Sequence, residues 1–308
     1  MSDPQSGIFR EGRRHHHFLE YALLPGTPGD SIAKAVAAAR GLPGEGPGEG
    51  PGGGTETVVA FGARLWNEIA PGDMPEGLRD FAAMGGAGGP PAPATQRDLL
   101  FWVQGAGRDD VLDRALATHR AIGAAGRLEL DLTGFTYRDS RDLTGFIDGT
   151  ANPKAADRLE TALVPQGRPG AGGAFVLSQK WVHDLEAFRA LPIPEQERVI
   201  GRTKVDSIEL EGAAMPATSH VSRTDVKVDG VAQKIYRRST PFGGATEHGL
   251  YFLAFARELP RFEVQLRRMF GVSEDGLRDR LTEFSRPTTG SYWFAPSEAA
   301  LTRLGTQR

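Results

Sequence analysis

No cysteine occurs anywhere in the 308 residues. That single absence excludes disulfides, zinc–thiolate centres, iron–sulfur clusters and thiol nucleophiles together. It also suits a reducing compartment. An excess of either charge is missing too: 36 Lys and Arg face 39 Asp and Glu, for a net charge of −3. No basic patch points to nucleic acid, and no polybasic stripe points to a membrane surface. Long apolar runs are absent, since no window approaches the roughly 18 residues that a bilayer span requires. Met1 to Arg14 contains no apolar stretch of the kind a signal peptide needs. The expectation is a cytoplasmic protein with neither nucleic acid nor membrane as a partner.

What is present is an ordinary globular composition, 39% hydrophobic and 24% charged, on a chain long enough for two domains of about 150 residues each. Two halves with similar element order can be read. In the first, Phe18 to Leu24 is apolar. Asp30 and Ser31 are cap candidates for a helix over Ile32 to Arg40 that closes at Gly41. Gly44 to Gly54 is a Gly/Pro/Glu tract that reads as a surface loop. Strands are predicted at Val58–Phe61, Leu99–Val103 and Leu128–Leu132. A helix is predicted over Asp109–Ile122, with Val111, Leu112, Ala115, Leu116 and His119 on one face.

The second half repeats the order. Strands are expected at Phe175–Trp181, around His220, at Lys234–Arg238, at Leu250–Phe255 and at Ser291–Phe294, with helices over Asp184–Ala190 and Pro260–Phe270. Each half reads as a ferredoxin-like β-α-β-β-α-β unit. The fold class is therefore α+β: duplicated ferredoxin-like units, antiparallel sheets packed together and helices outside. The division falls at about residue 150, giving halves 1–150 and 151–308.

Four segments carry residues suited to chemistry. In Gly145-Phe146-Ile147-Asp148-Gly149-Thr150-Ala151-Asn152-Pro153, two glycines bracket a carboxylate, which lets backbone approach a flat ligand closely. An ordinary Asp-Gly turn between the halves accounts for the same residues. His220, in Thr218-Ser219-His220-Val221-Ser222-Arg223, is a residue type that ligates haem iron singly, where zinc or non-haem iron wants several converging ligands. A satisfied or exposed histidine is the plainer reading. It is also the reading for His119, His183 and His248, while the triplet His15-His16-His17 reads as an accident of the N-terminal arm. In Tyr236-Arg237-Arg238-Ser239, strand alternation puts Arg237 and Ser239 on one face and Arg238 on the other; an exposed edge strand is the competing account. Asp279 sits in the charged run Glu274 to Leu281, read as mid-helix and solvated.

Taken in this order and spacing, the segments resemble the dye-decolourising peroxidases, in particular the bacterial type B group with porphyrinogen-peroxidase-like members. The resemblance runs from Gln5-Ser6-Gly7-Ile8 through Phe61-Gly62-Ala63-Arg64-Leu65-Trp66 and Asp98-Leu99-Leu100-Phe101 to Thr289-Gly290-Ser291-Tyr292-Trp293-Phe294-Ala295-Pro296, with Gly-Phe-Ile-Asp-Gly-Thr as its most specific signature. It implies a fold of the dimeric α+β barrel type with one haem b in the second half. His220 would be the axial ligand of the iron, and Asp148, Arg237 and Ser239 the catalytic groups on the peroxide side. Gly149, Thr150, Arg223 and Asp279 would contact or support the cofactor, Asp279 by accepting the proximal imidazole's proton. Hydrogen peroxide and a small aromatic, dye-like or porphyrin-type reductant are the implied substrates, and a homodimer or larger assembly the implied state.

Two departures bear on substrate range. Ser239 stands where many relatives carry Asn, and Trp102 where relatives often have His. The main alternative is a haem- or porphyrin-handling protein, which needs His220 but no distal acid–base pair; a chlorite-decomposing relative would want the Arg without the Asp. A cargo role inside a protein shell is a further reading but an unsupported one, since the chain stops soon after Ala295-Pro296 with no long tail to act as a docking peptide.

Overall fold

The structure, a computed structural model, describes residues 3–41 and 54–306. Most of the Gly44–Gly54 tract lies outside the described residues. The first half contains β1 (His15–Leu23), α1 (Gly29–Gly41), β2 (Thr55–Phe61), α2 (Ala63–Ile69), β3 (Leu99–Gly105), α3 (Arg108–Ile122) and β4 (Gly126–Phe135). There follow α4 (Ala155–Ala162), β5 (Ala174–His183), α5 (Leu185–Ala190), α6 (Ile193–Ile200) and α7 (His220–Thr224). The chain continues through β6 (Lys227–Val228), β7 (Val231–Ala232), β8 (Tyr236–Arg237), β9 (Thr240–Gly243) and β10 (His248–Ala256). It ends with α8 (Pro260–Met269), β11 (Ser285–Pro287), β12 (Ser291–Ala295) and α9 (Glu298–Thr306).

The strands of both halves share one antiparallel sheet in the order β4-β1-β3-β2-β12-β5-β10-β8, with β9 also paired to β10. The sheet curls until β4 lies against β9, where Gly134 leaves room for the side chain of Thr240. The class is α+β, with the two ferredoxin-like halves joined edge to edge through β2 and β12.

Period-two alternation sorts the strand residues between two cores. Phe18, Leu100, Trp102, Val176, Tyr251, Phe255 and Trp293 form an inner cluster almost without helix residues. Leu19, Tyr21, Leu99, Phe101, Leu177 and Phe294 face outward and meet the helices. β3 separates the two layers, so its whole length, Leu-Leu-Phe-Trp-Val-Gln-Gly, is buried and the alternation is invisible in sequence. The inner layer also encloses Glu20, which accepts hydrogen bonds from Tyr251 Oη (2.6 Å) and Ser178 Oγ (3.2 Å). Trp102 points into this inner layer and donates through Nε1 to His16 Nδ1 at 3.1 Å.

Several local expectations need correction. His15–His17 belong to β1 and are no loose arm. His17 Nε2 lies 2.5 Å from Asp131, and burial, with Arg238 nearby, pushes His16 down to about 3. Helix α3 buries Val111, Ala115, Thr118 and Ile122, whereas Leu112 and Leu116 are roughly half exposed at 46% and 49%. One residue along a helix turns the side chain by about 100°, so the apolar stripe read from sequence straddled the true edge. No strand forms at His220. Ser219 caps a short helix instead, its Oγ accepting from Ser222 N. Nor does a helix run through 274–281, because Gly276 takes a left-handed φ of +62°. Asp279 is the N-cap of the 3-10 turn Arg280–Glu283 and is fully buried. Among the described residues, no helix is long and apolar enough to cross a membrane.

Outward-facing residues of the two halves meet different fates. In the first half they are filled in by α1 and α3. In the second, the outward row of β5 (Leu177, Gln179, Trp181, His183) and that of β10 (Leu250, Phe252) floor a cavity under α7 and α8. The fold thus repeats, and the cavity over the sheet described here belongs to the second half.

Candidate active site

His220, the first residue of α7, enters the cavity with its side chain one-quarter exposed. Its Nδ1 is 2.6 Å from Oδ2 of Asp279. The other carboxylate oxygen of Asp279 accepts from Leu281 N at 2.9 Å. With Nδ1–H so committed, the second ring nitrogen, Nε2, makes no hydrogen bond among the described residues and is left for a ligand bond. A carboxylate behind a ligating imidazole fixes its tautomer and raises its basicity.

Asp148, Thr150, Arg237 and Ser239 line the same cavity. The turn that carries Asp148 is tightly specified. Gly145 adopts φ +94°, Asp142 accepts at Oδ2 from Thr144 N (2.8 Å) and Thr144 Oγ1 (2.5 Å), and Asp148 N donates to Ser140 O (3.0 Å). The Asp148 carboxylate accepts from Gly149 N at 2.6 Å. Gly149 itself does not reach the cavity wall; its φ of +77° shapes the turn. The Arg237 guanidinium has no hydrogen bond or ion pair among the described residues, and it does not pair with Asp148. Ser239 Oγ is buried without a partner. Arg238 points the other way, into the inner layer, donating to Ile8 O at 2.6 Å and lying over Trp102.

Arg223, like Gly149, does not line the cavity. Its guanidinium is 1% exposed and grips Asp275 through Nη1 (2.7 Å) and Nη2 (2.9 Å). Three residues after His220 on a helix, it points toward α8 and not into the pocket.

Sequence reasoning passed over two further groups. Asn152 clamps the backbone of Arg237, donating to Arg237 O at 2.8 Å and accepting from Arg237 N at 3.0 Å. It thereby ties the Asp148 turn to β8. Asn152 lies in the same nonapeptide as Asp148, so adjacency was the available signal. His183 lies on the cavity wall with both ring nitrogens engaged, Nδ1 with Ser285 Oγ (2.7 Å) and Nε2 with Asp142 Oδ1 (3.0 Å). Burial pushes the Asp142 carboxyl up, but His183 and the Thr144 donors outweigh it and hold it below its ordinary value. His183 therefore anchors the turn and has no nitrogen left for iron.

The profile of the Dyp-type peroxidase C-terminal domain matches residues 139–300, and that of the N-terminal domain matches residues 47–136. The dye-decolorizing peroxidase of Mycobacterium tuberculosis is 38% identical over 244 residues, spanning 78% of this chain and 72% of that protein. The chain belongs to the Dyp-type peroxidase family. A dye-decolorizing peroxidase of Rhodococcus erythropolis is 35% identical over 80% of this chain and 73% of its own. Among solved structures, a Dyp-type peroxidase protein from Shewanella oneidensis superposes with a TM-score of 0.90 at 33% identity, covering 100% of this chain and 99% of that one. A DypB variant from Rhodococcus jostii, in complex with heme, superposes with a TM-score of 0.89 at 34% identity, covering 98% and 99%.

The cavity suits the haem that this Dyp-type fold implies. The His220 imidazole, with Nε2 uncommitted among the described residues, could hold the iron, and the flanking walls include the apolar Phe146, Ile147, Trp181 and Leu266. The orphaned Ser239 Oγ is a buried polar atom left for water or ligand.

Proposed function

We propose that the protein is a haem b peroxidase that reduces hydrogen peroxide and oxidises aromatic, dye-like or porphyrin-type reductants in one-electron steps. His220 would hold the iron through Nε2, with Asp279 drawing on its Nδ1 proton. Haem, when bound, supplies the metal at which peroxide is cleaved and through which reductants give up electrons. Cleavage requires one peroxide oxygen to lose a proton and the other to gain one. Asp148 would carry that proton, directly or through a water. The Arg237 guanidinium would stabilise the charge that develops on the departing oxygen. Ser239 would hold the water between them, and Asn152 would keep Arg237 on station. Gly149 would shape the turn and Thr150 would meet the cofactor's edge.

The observation that carries this reading is the unpartnered Arg237 guanidinium in the cavity that also holds Asp148 and His220. A haem-handling protein needs no acid–base pair, so Asp148 together with Arg237 favours the enzyme. Arg237→Leu is expected to bind haem like the parent and to cleave peroxide about a hundredfold more slowly, as when a charge-stabilising donor is removed. Stopped-flow rates within about twofold of the parent would take Arg237 out of the reaction and favour haem handling.

The same reading includes a cytoplasmic setting, self-association into dimers or larger assemblies, and a division of the chain near residue 150.

A further inference from the structure

Helix α7 has only five residues, His220–Thr224. A helix this short has little stability of its own, so its roll about its axis, and with it the aim of the His220 ring, is set from outside. One such outside contact is made by Arg223. Its Nε donates to Arg268 O (3.1 Å) at the end of α8, its two terminal nitrogens grip Asp275, and Nη2 also reaches Ser273 Oγ (2.9 Å). Arg268 returns the contact, donating from Nη2 to Ser222 O at 3.0 Å and from Nε to Arg223 O at 3.3 Å. Asp275 is further fixed by Ser273 Oγ (2.8 Å) and Leu277 N (3.1 Å).

Asp279 is referred to the same place. Its backbone N donates to Met269 O (2.9 Å), the residue after Arg268. The next residue, Arg280, donates to Thr218 O (2.9 Å), just ahead of α7. The imidazole and its carboxylate thus come from segments 59 residues apart, and both are registered on the last turn of α8. Arg223 supplies that registration for the imidazole side.

We propose that Arg223 is a positioning residue: its clamp on Asp275 and Arg268 sets the roll of α7, and so the strength of the His220 Nδ1–H to Asp279 hydrogen bond that tunes the ligand. The inference rests on His220 carrying the haem. A bidentate pair between the buried Arg223 guanidinium and the exposed Asp275 carboxylate is suited to the task, because the planar fork fixes direction as well as distance. Asp275 is held below its ordinary carboxylate range by the Arg223 hydrogen bonds, so the clamp stays charged across the neutral range.

The test is the iron–imidazole stretching band of the reduced holoprotein by resonance Raman, with the reduction potential alongside. Asp279→Asn is the reference and is expected to lower the band and raise the potential, because the imidazole loses its anionic partner. Arg223→Met should move both in the same direction by a smaller amount, and Arg223→Lys should recover part of the shift. Asp275→Asn, a milder break of the same clamp, should shift the band too and adds the deciding result if Arg223→Met fails to fold or to hold haem. A purely structural Arg223 would lower the melting temperature and leave the band at the parental frequency, which overturns the proposal. If Asp279→Asn itself leaves the band unmoved, the assignment of the His220–Asp279 pair fails, and this inference fails with it.

Discussion

His220→Ala is expected to leave the purified protein with little bound haem. The cavity offers one imidazole whose Nε2 is uncommitted, and its Nδ1 is tied to Asp279 at 2.6 Å. Removing it takes away the axial bond and leaves Asp279, fully buried, without its main partner. A buried carboxylate stripped of its partner is destabilising by about 3–5 kcal/mol when it stays charged, so the variant should also melt lower. His248→Ala should retain haem, since that ring sits at the start of β10 with only a 3.3 Å contact to Gly244 O. His183→Gln should retain it as well, because both nitrogens of His183 already serve the Asp142 turn and the β11 wall. Haem content per chain, measured by pyridine haemochrome, checks all three. Equal loss across them would remove His220 from its role.

Asp148→Asn is expected to slow peroxide cleavage by about 10² to 10⁴-fold, the usual span of a general acid–base group. The substitution is a clean one. The amide oxygen can keep the bond from Gly149 N, and the turn is held by Asp142, Thr144 and Ser140 independently of the carboxylate. What is lost is the oxygen that can take and return a proton. Ser239→Ala makes the comparison. A serine hydroxyl near neutral pH can only orient water, so its loss should cost roughly 1 kcal/mol, about tenfold or less. Among the described residues Ser239 Oγ has no hydrogen-bond partner, so the substitution breaks no protein–protein hydrogen bond. Rates of the first spectral change after peroxide, taken over roughly pH 4 to 8, should therefore fall far more for Asp148→Asn, and with an altered pH profile. A parental rate and profile in Asp148→Asn would reduce Asp148 to a turn residue and move proton transfer to water held by Arg237.

That Asp148, Arg237 and Ser239 share one cavity was legible in sequence because the segments are local. Asp148 sits between glycines in one short segment, and Arg237 and Ser239 share a strand face by simple alternation, a geometry that the Arg238 contacts to Ile8 and Gln104 bear out from the opposite face. The duplicated α+β architecture was legible from element order. The proximal side was harder. Asp279 lies 59 residues from His220, and nothing short of the family resemblance connects them. Its charged neighbourhood looks helical until Gly276 breaks the run. The place of Arg223 was not legible either, because its partners Asp275 and Arg268 lie 52 and 45 residues away in sequence. His183 was read as ordinary because a strand's alternation does not say which of its two faces will be hollow. That depends on α7 and α8, which leave space over β5 and β10, whereas α1 and α3 pack against the core side of β1 and β3.

The account as a whole turns on whether one haem, held in this cavity, is cycled by peroxide. Absorption spectra of the purified protein before and after one equivalent of hydrogen peroxide test that most directly. The expected result is a haem band at about one haem per chain, an immediate change on adding peroxide, and return to the starting spectrum after a one-electron aromatic reductant supplies the two electrons that reduction of one peroxide consumes. A spectrum that ignores peroxide, or that only bleaches without recovery, would contradict the account.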